Sequence, residues 1–178
     1  MDAPHDMKTG SDTKGPAAAC GLYCGACSAY IATREDPGRL VALAARLGQT
    51  PEETRCEGCR SRNVSKYCKT CGLVVCADEK GYEFCIECAE FPCAALVAFG
   101  NERPHRAEIL PDLRRIGEIG RDAWVREVSA RYACPECGTT NSAYDLKCRR
   151  CGHDPGCSYA SDHAETIRAA LSRPPVDK

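Results

Sequence analysis

The number and spacing of its cysteines constrain this chain more than any other feature: 16 of its 178 residues are Cys. Eleven lie between Cys20 and Cys93, none between Ala94 and Ala133, and five between Cys134 and Cys157. Leu, Ile, Val and Phe together stay below about a fifth of the chain, too few for an ordinary apolar core. The 43% hydrophobic fraction is inflated by Cys and Ala. A formal net charge of −1 removes the high-charge half of the disorder signature, so the composition reads as a cross-linked fold rather than an unfolded chain.

Several classes are excluded at this level. No window approaches the run of about 18 apolar residues that a membrane helix needs. Residues 1–19 are polar and carry no apolar segment of the kind a secretory signal requires. The expected location is therefore the cytoplasm, where paired cysteines serve as metal ligands or redox groups more often than as disulfides. With 24 Lys plus Arg against 25 Asp plus Glu, net charge does not indicate a nucleic-acid partner, while a protein partner stays open.

The expected organisation is a disordered tail at 1–19, a Cys-rich metal-binding domain with helical segments at 20–132, a zinc ribbon at 133–158, and a C-terminal helix and tail at 159–178. Pro37 to Leu47 carries Leu40, Val41, Leu43, Ala44 and Leu47 largely on one face, with Asp36 as N-cap and Gly48 at the end. Pro92 to Gly100 reads as a helix opened by proline and closed by glycine. Pro111 to Tyr132 reads as helix interrupted at Gly117 and Gly120, with Trp124 as a core anchor. Asp162 and Glu165 have capping-box spacing ahead of Leu171.

Cys134-Pro-Glu-Cys137-Gly138 and Cys148-Arg-Arg-Cys151-Gly152 form the strongest local signal. Two Cys-x-x-Cys knuckles, each followed by glycine, present four thiolates from tight turns, as a structural zinc ion demands. The segment between, Thr139 to Lys147, is long enough for a β-hairpin. Four thiolates close the coordination sphere, so the expected role is structural. Cys157 and His153 read as incidental neighbours, and Lys147, Arg149 and Arg150 as a solvated basic tip.

Cys20, Cys24 and Cys27 form Cys-x3-Cys-x2-Cys, the spacing radical SAM enzymes use. The chain lacks the alternating strand and helix pattern of their barrel and has Ala26 where an aromatic is usual, which argues against that activity. Cys56 and Cys59 form a further pair. Cys68-x2-Cys71-x4-Cys76 recurs as Cys85-x2-Cys88-x4-Cys93, a period of 17 residues that suggests repeated loops and repeated metal sites. Such spacing suits interleaved zinc sites and iron-sulfur centres equally. Arg55 to Lys69 is basic and Asp78 to Glu90 acidic, which reads as mutual compensation between neighbouring loops.

The strings Cys20-Gly-Leu-Tyr-Cys-Gly-Ala-Cys27 with Tyr30-Ile-Ala-Thr33, Cys56-Glu-Gly-Cys59-Arg-Ser61, Glu83-Phe-Cys-Ile-Glu-Cys88 and Glu90-Phe-Pro-Cys93 occur here in order. Over about Cys20 to Tyr132 the chain resembles the uncharacterised bacterial and archaeal family catalogued as domain of unknown function 3795. The ribbon resembles an appendage carried by some members. The resemblance implies a Cys-rich metal-binding protein and brings no established reaction.

The expectation is a small α-rich, Cys-rich metal-stabilised domain followed by a β-hairpin zinc ribbon. Its function is metal binding, with zinc at Cys134, Cys137, Cys148 and Cys151, and zinc or iron-sulfur centres among the eleven N-terminal thiols, in an interaction or regulatory role. The alternative is an iron-sulfur redox protein or enzyme accessory. No Ser-His-Asp set, phosphate loop, paired carboxylates or His-Glu-x-x-His provides a catalytic constellation.

Overall fold

Short helices follow directly from local capping chemistry, and the computed structural model describes them for residues 15–172. Helix α1 spans Ser28–Glu35, α2 Pro37–Arg46 and α3 Pro51–Thr54. The Asp36 side chain accepts the Arg39 N–H at 2.9 Å with Pro37 in the first turn, and Gly48 leaves the helix at φ 62°. Thr50 and Glu53 make a reciprocal capping box on α3. Helix α4 spans Gly72–Lys80 and ends in left-handed Gly81.

Helix α5 runs Ala94–Asn101, so it starts after Pro92 and contains Gly100 instead of ending there. The glycine is there for closeness: a Cβ on it would meet Ile109 Cδ1 at 3.2 Å. Helices α6, Ile109–Ile119, and α7, Arg121–Tyr132, divide at Gly120, whose φ 79° and ψ 161° only glycine adopts without strain. Gly117 stays inside α6. Helices α8, Ser158–Asp162, and α9, Ala164–Leu171, follow, and no side chain caps α9, so the expected Asp162 box is absent.

The core is continuous across the two Cys-rich regions. Leu96, Leu113, Ile116, Trp124 and Val128 pack in one cluster with Cys20 and Cys24, and Ala143, Cys157, Tyr159 and Ala160 belong to the same cluster. Trp124 is 1% exposed and donates from Nε1 to Asp112 at 3.2 Å. Tyr132 stacks between Tyr23 and Tyr159 at 5.9 and 4.8 Å, tying the loop before α1 and helix α8 to α7. Of the tail expected at 1–19, residues 1–14 lie outside the described residues. Ala17, Ala18 and Ala19 are buried, with Ala19 accepting the Cys85 N–H at 2.9 Å.

The expected β-hairpin between the knuckles is corrected: among the described residues there is no strand, only the isolated bridges Ala17 with Tyr23 and Ala133 with Thr140. Side chains take the backbone groups a ladder would use. The Arg149 N–H donates to Asn141 Oδ1, the Ser142 N–H to Asp145, and the Tyr144 N–H to Ser142 Oγ, at 2.9, 2.8 and 3.1 Å. Asn, Ser and Asp compete with regular structure in this way.

Candidate metal centres

The two C-terminal knuckles are built alike. The Cys134 N–H donates to Thr139 O at 2.9 Å and the Gly138 N–H to Cys134 O at 2.9 Å; the Cys148 N–H donates to His153 O at 2.8 Å and the Gly152 N–H to Cys148 O at 2.9 Å. Gly138 and Gly152 have φ 71° and 77°. The turns face each other, so that Cys134 and Cys151 Sγ are 3.6 Å apart, as are Cys137 and Cys148 Sγ. All four sulfur atoms lie within 4.8 Å of one another, an arrangement that can hold a metal ion.

Electrostatics agree with that use. Desolvation raises the Cys148 thiol, yet N–H groups of Cys151 and Arg150 together with the Cys151 and Cys134 thiols outweigh it and hold the pKa down at about 6. The His153 N–H lowers the Cys151 thiol, but desolvation and the neighbouring sulfur atoms push it up to about 12. One or two thiolates form readily in such a set, and full ionisation calls for a cation.

Residues without metal-ligand chemistry hold the knuckles in place. Asn141 is fully buried, donates from Nδ2 to Gly156 O at 2.7 Å and Thr139 O at 3.2 Å, and accepts the Arg149 N–H. Arg149 is no solvated tip: it donates to Thr140 O at 2.7 Å and pairs with Glu35 of α1. Lys147 fits the solvated expectation, reaching Asp154 at 3.6 Å with both side chains exposed. Cys157 is 1% exposed and sits in the core. The signal for Asn141 was its Asn-Ser pair just after the first knuckle, a spacing that carries meaning only once Gly156 is known to lie opposite.

Most of the eleven N-terminal thiols fall into two neighbourhoods, with Cys20 and Cys71 lying between them. In the first, Cys59 makes thiol contacts with Cys24 and with Cys68, which hold the Cys59 proton and lower Cys24 and Cys68, the latter to about 6. Cys56 lies in the field of Cys68 and Cys24, and Cys27 in that of Cys56. Two arginines face this group. Arg60 donates to Ala17 O at 2.9 Å and to Glu83 O, and its charge favours the Cys24 thiolate. Arg106, 3% exposed, lies over Phe99 at 3.7 Å, donates to Tyr67 Oη at 2.7 Å and favours the Cys68 thiolate.

In the second neighbourhood Cys76, Cys85, Cys88 and Cys93 line one cavity, and Lys80 Nζ donates to Cys88 Sγ at 3.6 Å. Burial, followed by the charges of Cys93, Cys76, Cys88 and Cys71, pushes the Cys85 thiol up to about 11. Burial also raises Cys20, to about 12, with Cys71, Cys24 and Cys85 as its thiol neighbours. Cys24 neighbours both Cys20 and Cys27, yet the triplet does not form one close three-thiol cluster among the described residues.

Residues 16–98 match the family model described as protein of unknown function, DUF3795. Over this segment the chain resembles that family. The DUF3795-like segment takes in all eleven N-terminal cysteines and ends inside α5, short of the expected Tyr132 and of the C-terminal knuckles. No curated protein and no solved structure matches the chain.

Within the DUF3795-like segment the 17-residue period does not produce equivalent loops. Cys71 N–H to Cys68 O and Cys88 N–H to Cys85 O are the same turn, both at 3.3 Å. After the first, Cys71 caps α4 and Cys76 lies inside that helix; after the second, the chain turns again and Cys93 caps α5. Cys68 and Cys85, one period apart, stand in different neighbourhoods.

Proposed function

We propose that this chain is a metal-binding protein in which Cys134, Cys137, Cys148 and Cys151 hold a structural zinc ion. Its DUF3795-like segment holds further zinc or iron-sulfur centres on Cys20, Cys24, Cys27, Cys56, Cys59, Cys68, Cys71, Cys76, Cys85, Cys88 and Cys93. The carrying observation is the 3.6 Å separation across the knuckles. Zn–S bonds of about 2.3 Å give a tetrahedron with edges of about 3.8 Å, so four such thiols need almost no movement to close on zinc. Four protein ligands leave no position for substrate, which suits a structural ion and an interaction or regulatory role.

The test is metal analysis of the full chain with a Cys148→Ser variant. The variant should lose one zinc per chain while retaining the metal of the N-terminal segment. Retention of every zinc refutes the assignment. A redox reading is favoured by the wider-set thiols around the Cys85 cavity, where iron-sulfur chemistry has room.

A further inference from the structure

Leu73, Cys76, Ala77 and Lys80 occupy one face of α4 at helical spacing, and all four line the cavity closed on its other side by Tyr82, Cys85, Cys88, Glu90, Phe91, Cys93 and Leu96. The cavity holds about 50 Å³. A single water occupies about 10–15 Å³ on such a measure, so this is several times the room a lone ion of that size requires. Its floor is apolar, with Leu96 fully buried and Ala77 at 4% exposure. Its polar lining is the thiols, the exposed Lys80, Tyr82 and the exposed Glu90.

The knuckles of the same chain offer a direct contrast. There the four sulfur atoms stand within 4.8 Å of one another, and among the described residues Cys76, Cys85, Cys88 and Cys93 are not gathered so closely. Four cysteines placed around a void, rather than upon a point, match a ligand that is itself polynuclear. Both common iron-sulfur cores take four thiolates. Zinc would instead draw the four together to tetrahedral edges of about 3.8 Å.

Resting on the metal-binding reading of the N-terminal thiols, we infer that Cys76, Cys85, Cys88 and Cys93 ligate one iron-sulfur cluster, with Lys80 as the hydrogen-bond donor that tunes it through Cys88. A donor to a ligand sulfur stabilises the more negative, reduced cluster and so raises its potential. The other seven N-terminal thiols lie outside this set, with Cys24, Cys59 and Cys68 forming their own neighbourhood.

The experiment is anaerobic purification of the full chain, reconstitution with ferrous iron and sulfide in the presence of zinc, and measurement of iron, acid-labile sulfide and zinc. The expected result is iron with sulfide, a broad visible absorption that bleaches on reduction, and zinc at the knuckles. Cys85→Ser and Cys88→Ser should each lose the sulfide-bearing iron and keep the Cys148-dependent zinc. Lys80→Met should retain the cluster and lower its reduction potential. A wild-type chain that takes up zinc and no sulfide overturns the inference, whether or not the cysteine variants fold. A cluster that survives both cysteine variants, or a potential unmoved by Lys80→Met, overturns its placement in this cavity. Failure of the zinc assignment at the knuckles would appear separately, as a Cys148→Ser variant that loses no zinc.

Discussion

Arg39 and Asp145, 106 residues apart, form a two-pronged ion pair at 2.9 and 3.1 Å that fastens α2 to the turn between the C-terminal knuckles. The same guanidinium reaches Ser142 Oγ at 3.0 Å, and Asp145 also accepts the Ser142 N–H. Arg149 crosses in the opposite direction to Glu35. The two Cys-rich regions are thus joined by a pair of arginines, one from each side, above a shared core.

Replacing Asp145 should therefore weaken the whole fold and not only the knuckles. With the side chains of Arg39 and Asp145 20% and 16% exposed, Asp145→Ala should cost about 2 kcal/mol, in the range of hydrogen bonds to charged groups. Arg39→Lys should lose much of the same stability, because an ammonium cannot make the planar fork. Urea denaturation of the metal-loaded protein reads both, and a midpoint unchanged in Asp145→Ala would remove this junction from the account.

Gly156 is fixed by proximity. A Cβ there would sit 2.7 Å from Asp145 O and 2.8 Å from the Cys148 nitrogen, both backbone atoms that cannot swing away. Gly156→Ala should displace the second knuckle and weaken zinc binding by at least tenfold in a competition titration with a chromophoric chelator. Wild-type affinity would show that the loop relaxes freely.

Gly120 is fixed by conformation instead. Nothing lies within 4 Å of a Cβ placed on it, yet its backbone is in a region that side chains avoid. Gly120→Ala should cost about 1–3 kcal/mol through strain alone, without changing metal content. Thermal unfolding paired with metal analysis checks both halves, and a Tm equal to the wild type would contradict the strain argument.

His105, in the Cys-free segment, meets Tyr144 Oη of the turn between the C-terminal knuckles at 2.6 Å. Burial, followed by the charges of Arg106 and Arg103, pushes its imidazole down to about 3. Below the ordinary value of about 6.5 the unfolded chain binds a proton that the folded ring refuses. Stability on this account is full above pH 6.5 and falls as pH drops toward 3, by up to about 1.4 kcal/mol per unit. His105→Gln should have a shallower stability profile than the wild type between pH 5 and 6.5. Thiolate protonation and metal release act on both proteins alike, so parallel profiles would count against His105.

Local rules were legible in the residues. Asp36-Pro37 and Gly48 bound α2, Gly120 divides α6 from α7, and each C-terminal knuckle turns at the glycine after its second cysteine. The expectations that failed depend on what lies opposite. Gly100 reads as a terminator until Ile109 is found against it, and Thr139 to Lys147 reads as a hairpin until Asn141, Ser142 and Asp145 are seen to satisfy its backbone. Ala17 to Ala19 carry no pattern of their own and are ordered by contacts with the Cys85 loop and Arg60.

The sequence by itself determined that this chain is unusually rich in thiols, and it identified the Cys134 to Cys151 set, because a Cys-x-x-Cys turn and its glycine are governed by hydrogen bonds spanning three to five residues. It also showed a period of 17 residues among the N-terminal cysteines. Only the tertiary structure decided that Cys68 joins Cys24 and Cys59 while Cys85 joins Cys76, Cys88 and Cys93. The turns are the same, but α4 begins at once after one and a second loop follows the other, so identical spacing carries the thiols to different places. A metal site is a meeting of side chains in space, and its membership is set by where the intervening helices send the chain.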